Sequence, residues 1–201
     1  MDKKSYAFGM SLASNLVSSG VHGLNFDDFV SGLKDMMTGN TLKISMEEAG
    51  KALEEFYAEL EAEQQERMAE AGKAAKAEGE AYLKENAAKE GVITTASGLQ
   101  YKVIREGNGR SPKASDKVLC HYEGSLPGGM IFDSSYKRGE PASFGLNQVI
   151  RGWTEGLQLM KEGAKYEFTI PYDLGYGANG SGGAIPPYST LIFTVELIKV
   201  L

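Results

Sequence analysis

The sequence predicts an α+β protein with an all-helical N-terminal arm, a long linker helix, and then an antiparallel sheet curled around one short helix. Two observations support this class. Apolar residues recur at helical spacing in the first part of the chain, whereas from about residue 94 they alternate with polar ones. In addition, no proline occurs between residues 1 and 111, while glycine and proline punctuate the remainder.

Residues 1–45 are predicted to form a helical dimerisation arm. Tyr6, Met10 and Leu16 belong to a first amphipathic helix, and Asn25 is a suitable N-cap for a second one. An arm of this length holds too little core to be stable alone. Because two such arms packed together would supply the missing core, we expect the chain to form a homodimer through this arm.

Residues 46–91 are predicted to form one long linker helix, whose start contributes to the dimer interface. Ser45 and Glu48 fit a capping box. One apolar stripe at helical spacing follows, made of Ala49, Leu53, Phe56, Tyr57 and Leu60. The helix then becomes polar on every side, as is typical of a solvent-bridging spacer, and Gly72 and Gly79 are expected to weaken it.

The charge distribution and the single cysteine exclude several classes of protein. The net charge of −6 is concentrated between Glu47 and Glu90, where 13 acidic and 6 basic residues lie. Nucleic acid is therefore not an expected partner. Cys120 cannot form an intrachain disulfide, and no run of residues is apolar enough to span a membrane. The sequence as it stands predicts a cytoplasmic location, or a periplasmic one if an export signal has been removed.

The strand region, residues 94–201, carries five short motifs in a fixed order. They are His121-Tyr122-Glu123-Gly124, Phe132-Asp133-Ser134-Ser135, Val149-Ile150-Arg151-Gly152-Trp153, Tyr176-Gly177 and Ile185-Pro186-Pro187. This region resembles the FKBP-type peptidyl-prolyl cis/trans isomerases. The arm and the long helix are similar to those of the Mip-like, two-domain bacterial branch, whose members dimerise through an N-terminal helical module.

The resemblance implies an FKBP-like domain with an apolar proline pocket and no cofactor or metal. It assigns ten residues to the site, namely Tyr122, Phe132, Asp133, Phe144, Val149, Ile150, Trp153, Tyr176, Ile185 and Phe193. Trp153 would form the floor under the proline ring. Asp133, the Tyr176 hydroxyl and the Ile150 N–H would be the polar contacts on the rim.

The implied chemistry needs no nucleophile. Rotation about an Xaa-Pro bond is slow because twisting destroys amide resonance. An apolar pocket favours the twisted, less polarised amide, which is differential binding of the transition state. The expected partners are Xaa-Pro segments of unfolded or partly folded proteins and macrolide inhibitors such as tacrolimus and rapamycin. Ala142, Ala184 and the run 181–183 are smaller than in many relatives, so we expect a more open pocket.

Two further interpretations stay open at this point. The chain could be a dimeric holding chaperone in which isomerase activity is secondary, because two weak sites on one dimer gain by multivalency. It could also be a structural dimer module with an inactive pocket, although Asp133, Trp153 and Tyr176 argue against that. Glycines 175, 177 and 180 match a dinucleotide-binding motif by spacing alone, since Pro186 and Pro187 prevent the helix that such a motif requires.

Overall fold

The computed structural model describes all 201 residues and divides into two compact units, Met1–Glu66 and Arg67–Leu201. The helices are α1 (Lys3–Ser18), α2 (Phe26–Thr38), α3 (Met46–Ala87), α4 (Ser135–Arg138) and α5 (Arg151–Gln158). The boundary between the two units falls inside α3. None of these helices is long and apolar enough to cross a membrane.

The first unit consists of α1, α2 and the beginning of α3, and local capping determines where these helices start. The Asn25 side chain accepts hydrogen bonds from the backbone N–H groups of Asp27 and Asp28, so the predicted N-cap of α2 is confirmed. The capping box before α3 is confirmed too, because the Glu48 N–H donates to Ser45 Oγ at 3.1 Å and Glu48 accepts from the Ser45 N–H at 2.8 Å. These caps satisfy backbone groups only, and no residue of Met1–Glu66 is buried.

The second unit contains a seven-stranded, entirely antiparallel sheet, which confirms the predicted α+β class. The strands are β1 (Val92–Thr94), β2 (Gln100–Arg105), β3 (Lys117–Ser125), β4 (Ile131–Ser134), β5 (Ala142–Gly145), β6 (Lys165–Ile170) and β7 (Leu191–Val200). Their order is β1-β2-β6-β7-β3-β4, and β5 pairs with the start of β3. The alternating residues of β3, β6 and β7 face the core on one side of the sheet.

Helix α5 packs on this sheet at very short range because two of its residues are glycines. A Cβ on Gly152 would lie 2.5 Å from the Ile170 side chain, and one on Gly156 would lie 2.7 Å from the Phe168 ring. Both glycines therefore allow the backbone of α5 to touch the sheet. This close approach places Trp153, in the first turn of α5, among the side chains of the core.

The second half of α3 differs from the expected polar spacer. Gly72, Gly79 and Asn86 are buried against the sheet unit, at intervals of seven residues that place them on one face of the helix. The helix is continuous through both glycines and ends at Ala87, before the predicted position 91. Its last turn closes with a shorter i→i−3 bond, in which the Lys89 N–H donates to the Asn86 carbonyl at 3.0 Å.

Candidate active site

All ten residues that the sequence assigned to the site line one cavity of about 500 Å³. They come from β3, β4, β5, α5, β7 and the loops before α5 and β7. Four more residues line the same cavity, namely Gln148, Ser181, Gly182 and Ala184. The fold therefore brings the dispersed sequence motifs to one place.

Trp153 forms the centre of an aromatic cluster. Its ring lies at nearly right angles to those of Tyr122, Phe144 and Phe193, with centroids 5.2 to 5.3 Å apart. Such edge-to-face geometry is favourable for aromatic rings and fixes their orientation. Only 4% of the Trp153 surface is exposed, and its Nε1 is the one buried side-chain nitrogen or oxygen without a hydrogen-bond partner.

One part of the cavity lining depends on a glycine in β3. A Cβ on Gly124 would lie 2.6 Å from both the Phe132 and the Phe193 rings. Because Gly124 has none, these two rings meet edge to face, with centroids 5.5 Å apart and an interplanar angle of 80°. The motif residue Gly124 thus shapes the pocket without lining it.

A hydrogen-bonded group of three side chains forms one rim. The Tyr122 hydroxyl and the Arg138 guanidinium both donate to the Asp133 carboxylate, and Arg138 Nη2 also donates to the Tyr122 hydroxyl at 2.8 Å. Partial burial acts to raise the pKa of Asp133, but the hydrogen bonds from Tyr122 and Arg138 outweigh it and hold that pKa below its ordinary value. Asp133 is therefore a carboxylate at neutral pH whose charge is balanced inside the site.

Arg138 is a member of this group that the sequence analysis missed. It lies at the end of α4, a single turn that begins at Ser135 and is capped by the Ser134 side chain. This turn brings Arg138 back over Asp133, five positions earlier. The signal was present as an arginine one turn after the Asp-Ser-Ser motif, but only the turn geometry shows that its side chain points back to Asp133 and Tyr122.

Tyr176 also lines the cavity and lies between the 3₁₀ turns Tyr172–Leu174 and Gly177–Asn179. Its side chain is 40% exposed, and its hydroxyl makes no hydrogen bond within the chain. Desolvation, together with the nearby negative charge of Asp133, raises the pKa of Tyr176. The hydroxyl consequently stays protonated at neutral pH and is free to donate to a ligand.

Two further elements complete the edge of the cavity. Ser181 and Ile185 exchange backbone hydrogen bonds of 2.9 and 3.0 Å, which closes a small hairpin and turns Ile185 toward the cavity. At the start of α5, the Ile150 N–H makes no backbone hydrogen bond. This amide is therefore an available donor at the predicted rim position.

Cys120 and His121, the neighbours of Tyr122, do not contribute to the cavity. Cys120 is fully buried in the core, and burial raises the pKa of its thiol to about 12. His121 points to the other side of β3, where its Nδ1 lies 3.0 Å from Ser135 Oγ and its ring stacks on Tyr136. No group of three or more histidine, cysteine, aspartate or glutamate residues is arranged to hold a metal ion.

Comparison with known proteins places the whole chain in one family. The family described as FKBP-type peptidyl-prolyl cis-trans isomerase matches residues 108–198, and the domain amino-terminal to FKBP-type peptidyl-prolyl isomerase matches residues 1–103. The chain is 45% identical to the FKBP-type 22 kDa peptidyl-prolyl cis-trans isomerase of Escherichia coli, over 98% of this chain and 94% of that protein. It is 41% identical to the outer membrane protein MIP of Legionella longbeachae, over 99% and 85% of the two chains.

A solved structure supports the same assignment. The crystal structure of FkpA from Escherichia coli superposes with a TM-score of 0.74 at 40% identity, over 98% of this chain and 95% of that chain. The resemblance inferred from the five motifs is confirmed by these matches. The chain belongs to the FKBP-type peptidyl-prolyl cis-trans isomerases, in the Mip-like group that carries an N-terminal helical region.

Proposed function

We propose that the 500 Å³ cavity binds the proline ring of an Xaa-Pro segment and accelerates its cis/trans exchange during protein folding. The uncatalysed barrier is about 18–20 kcal/mol, since rotation breaks the partial double bond of the amide. An apolar environment solvates the polar planar amide poorly and binds the twisted amide more strongly. This difference lowers the barrier. No covalent step is needed in this mechanism.

The aromatic box around Trp153 is the observation that carries this proposal. The rings of Tyr122, Phe144 and Phe193 stand nearly perpendicular to the Trp153 indole, and we propose that a proline ring lies against this indole in the apolar space between them. The only charged groups at its edge, Asp133 and Arg138, are paired with each other. The interior of the pocket therefore offers shape and low polarity.

The remaining polar groups have complementary roles in the proposal. The Ile150 N–H and the Tyr176 hydroxyl are unpaired donors on the rim, and each suits a carbonyl oxygen of the substrate backbone. The Asp133 carboxylate accepts a hydrogen bond from the Tyr122 hydroxyl and thereby fixes the Tyr122 ring, which lines the cavity. Val149 and Ile185 supply aliphatic surface on either side of the proline.

The test is the exchange rate of a short Xaa-Pro peptide, measured by NMR for the wild type, Trp153→Leu and a control, Tyr101→Leu. Tyr101 stacks on Tyr166 in the same sheet but does not line the cavity. Uncatalysed exchange takes tens to hundreds of seconds, so even weak catalysis is measurable. We expect a loss of about tenfold or more in Trp153→Leu and near-wild-type rates in the control. Loss in both, or in neither, contradicts the assignment of the pocket.

Rapamycin and tacrolimus serve as a second probe of the same pocket. Each should compete with the peptide, and Trp153→Leu should weaken that competition. Ala184 lines one side of the cavity with only a methyl group, whereas Ala142 packs against the core without lining the cavity. The inhibitors are therefore expected to bind while losing part of their contact area on that side.

We further propose that the first unit forms a homodimer with a second copy of the chain. No residue of Met1–Glu66 is buried, although an apolar groove of about 950 Å³ lies between its helices. Phe29, Leu33, Met36 and Phe56 line that groove. An apolar surface of this extent is unfavourable in water, and an identical arm offers a matching one.

The dimer is tested with Leu33→Glu combined with Met36→Glu, and with Lys34→Glu as a control. Lys34 lies on the same helix but is exposed and does not line the groove. Sedimentation equilibrium should give a monomer for the double variant and a dimer for the control. A double variant that remains dimeric would show that the groove is not the interface.

The same variants separate the isomerase from the holding chaperone. The exposed apolar surface of the first unit is the observation that favours a chaperone role. If the arm serves client capture, the double variant keeps the wild-type rate on a short peptide but loses acceleration of proline-limited refolding of a whole protein. Equal retention of both activities would leave the arm without a part in client capture.

A further inference from the structure

Two glycines in the second half of helix α3 pack against one short segment of the chain, residues 187–190. A Cβ on Gly72 would lie 3.0 Å from the Pro187 side chain and 3.3 Å from the Tyr188 ring. A Cβ on Gly79 would lie 2.4 Å from Thr190 Oγ1 and 2.9 Å from Thr190 Cβ. Residues 187–190 are thus packed directly against the helix backbone. We call Gly72, Lys76 and Gly79 the docking face of α3.

The middle member of the docking face, Lys76, contacts the same segment through two aromatic rings. Its ammonium lies 5.7 Å from the centroid of the Tyr172 ring and 5.8 Å from that of Tyr188. These two rings meet edge to face, with centroids 5.3 Å apart. One lysine therefore joins the turn before Tyr176 to the loop after Ile185 through cation–π attraction.

Tyr188 is the one non-glycine residue of the chain with a positive φ, at 59°. A left-handed conformation costs a side-chain-bearing residue free energy and persists only where its surroundings enforce it. Two contacts enforce it here. The docking face holds the ring, and the Tyr188 N–H donates to the Gly177 carbonyl at 2.8 Å.

The two loops that Tyr188 connects, around Gly177 and around Pro187, each carry a residue that lines the cavity. Gly177, the acceptor of the Tyr188 N–H, follows Tyr176 directly in the chain, and Pro187 follows Ile185 by two residues. Tyr176 and Ile185 both line the cavity. A shift of residues 187–190 would consequently move both Tyr176 and Ile185.

We propose that the docking face positions this rim of the pocket, so that Gly72, Lys76 and Gly79 are positioning residues for the isomerase reaction although none of them contacts the substrate. The proposal rests on the cavity being the proline site. Through Tyr176 and Ile185, the helix sets the width of the pocket on the side that these two residues line. Its contribution is to substrate selectivity as well as to rate.

The experiment compares two substitutions in the docking face with matched controls in the same helix. Gly79→Ala forces a Cβ against Thr190, whereas Gly50→Ala adds one where nothing lies within 4 Å. Lys76→Ala removes the cation from the two rings, whereas Lys73→Ala removes one that makes no ion pair or ring contact. Lys76→Arg keeps a cation that stacks well on aromatic rings and should restore the wild-type behaviour.

The readouts are kcat, KM and the ratio of kcat/KM for peptides with leucine and with alanine before proline, measured on the full chain. We expect Gly79→Ala and Lys76→Ala to lower kcat/KM by up to about tenfold, mostly through KM, and to change the leucine-to-alanine ratio. Both controls and Lys76→Arg should keep wild-type values. The exposed position of Lys76 keeps the test valid if Gly79→Ala fails to fold.

Two results would overturn the proposal, and each differs from failure of the pocket assignment. In the first, Gly79→Ala lowers the thermal stability, but neither Gly79→Ala nor Lys76→Ala changes the leucine-to-alanine ratio of kcat/KM. The docking face would then have only a structural role. Control variants that change the ratio as much as Lys76→Ala would show that the effect is not local. If instead Trp153→Leu leaves the wild-type rate intact, the pocket assignment itself is wrong.

Discussion

The Tyr176 hydroxyl offers a clean separation of function from stability. Tyr176→Phe removes one oxygen atom from a side chain that is 40% exposed, and this oxygen makes no hydrogen bond within the chain. The free energy of unfolding should therefore stay within about 0.5 kcal/mol of the wild type, as for other surface changes that break no internal contact. The proposed role of the hydroxyl is to donate to a substrate carbonyl during rotation.

The size of the kinetic effect follows from the kind of bond that is lost. A hydrogen bond between neutral groups contributes about 0.5–1.5 kcal/mol net. At about 1.4 kcal/mol for each factor of ten, kcat/KM should fall by about twofold to about tenfold. The raised pKa of Tyr176 keeps the hydroxyl protonated through neutral pH, so the loss should be the same from pH 6 to pH 8.

NMR exchange on an Xaa-Pro peptide measures this loss, and Tyr136→Phe is the matched control. Tyr136 is 39% exposed, but its ring stacks on His121 on the other side of β3 and its hydroxyl donates to Glu196. The control should keep the wild-type rate. A Tyr176→Phe variant that matches the wild type in kcat/KM would refute the proposed contact, and one that loses much stability would refute the reading of this hydroxyl as unpaired.

Three further predictions concern stability and reactivity. Gly107→Ala should lower the free energy of unfolding by about 1–3 kcal/mol, because its Cβ would lie 2.5 to 2.6 Å from backbone atoms of residues 161–164. Urea unfolding measures this loss, and an unchanged urea midpoint would contradict the prediction. Cys120 should not react with a thiol reagent at pH 8 while the protein is folded, since burial raises its pKa to about 12; labelling that precedes the loss of tryptophan signal in urea would contradict this. The pKa of Asp133 lies below its ordinary value of 3.8 in the folded state, so its stabilising contribution is present above about pH 4 and is lost as the pH falls further. Asp133→Asn should therefore show a weaker decline in urea midpoint between pH 5 and pH 3 than the wild type, and an equal decline would contradict the pairing with Arg138.

Much of the pocket could be predicted because its residues lie in regular elements with a clear period. Tyr122 and Phe193 are buried and alternate with less buried positions along β3 and β7, so their common face follows from the pleat. Trp153 joins this face because α5 packs closely on the sheet through Gly152 and Gly156. The cluster then required only that the antiparallel strands pair in register, which local alternation strongly favours.

The docking face escaped prediction because its contacts are made by residues without an apolar side chain. A glycine adds nothing to a hydrophobic stripe, so Gly72 and Gly79 looked like weak points in a polar helix rather than the places where it packs. Asn86 is polar, yet it is buried because its amide donates to Gln100 at 2.9 Å and to Thr169 at 3.2 Å. Those partners lie in β2 and β6, and nothing local in the sequence around Asn86 identifies them.

Helix α3 is continuous, but only its second half is stabilised by contacts with the sheet unit. The half that begins at Arg67 packs on the sheet unit through its buried glycines and Asn86, whereas no residue before Glu66 is buried within a single chain. Amide hydrogen exchange along this one helix should therefore report two opening free energies, with a step near residue 66. Dilution should speed exchange in the first half alone, since only that half would draw its protection from a second molecule.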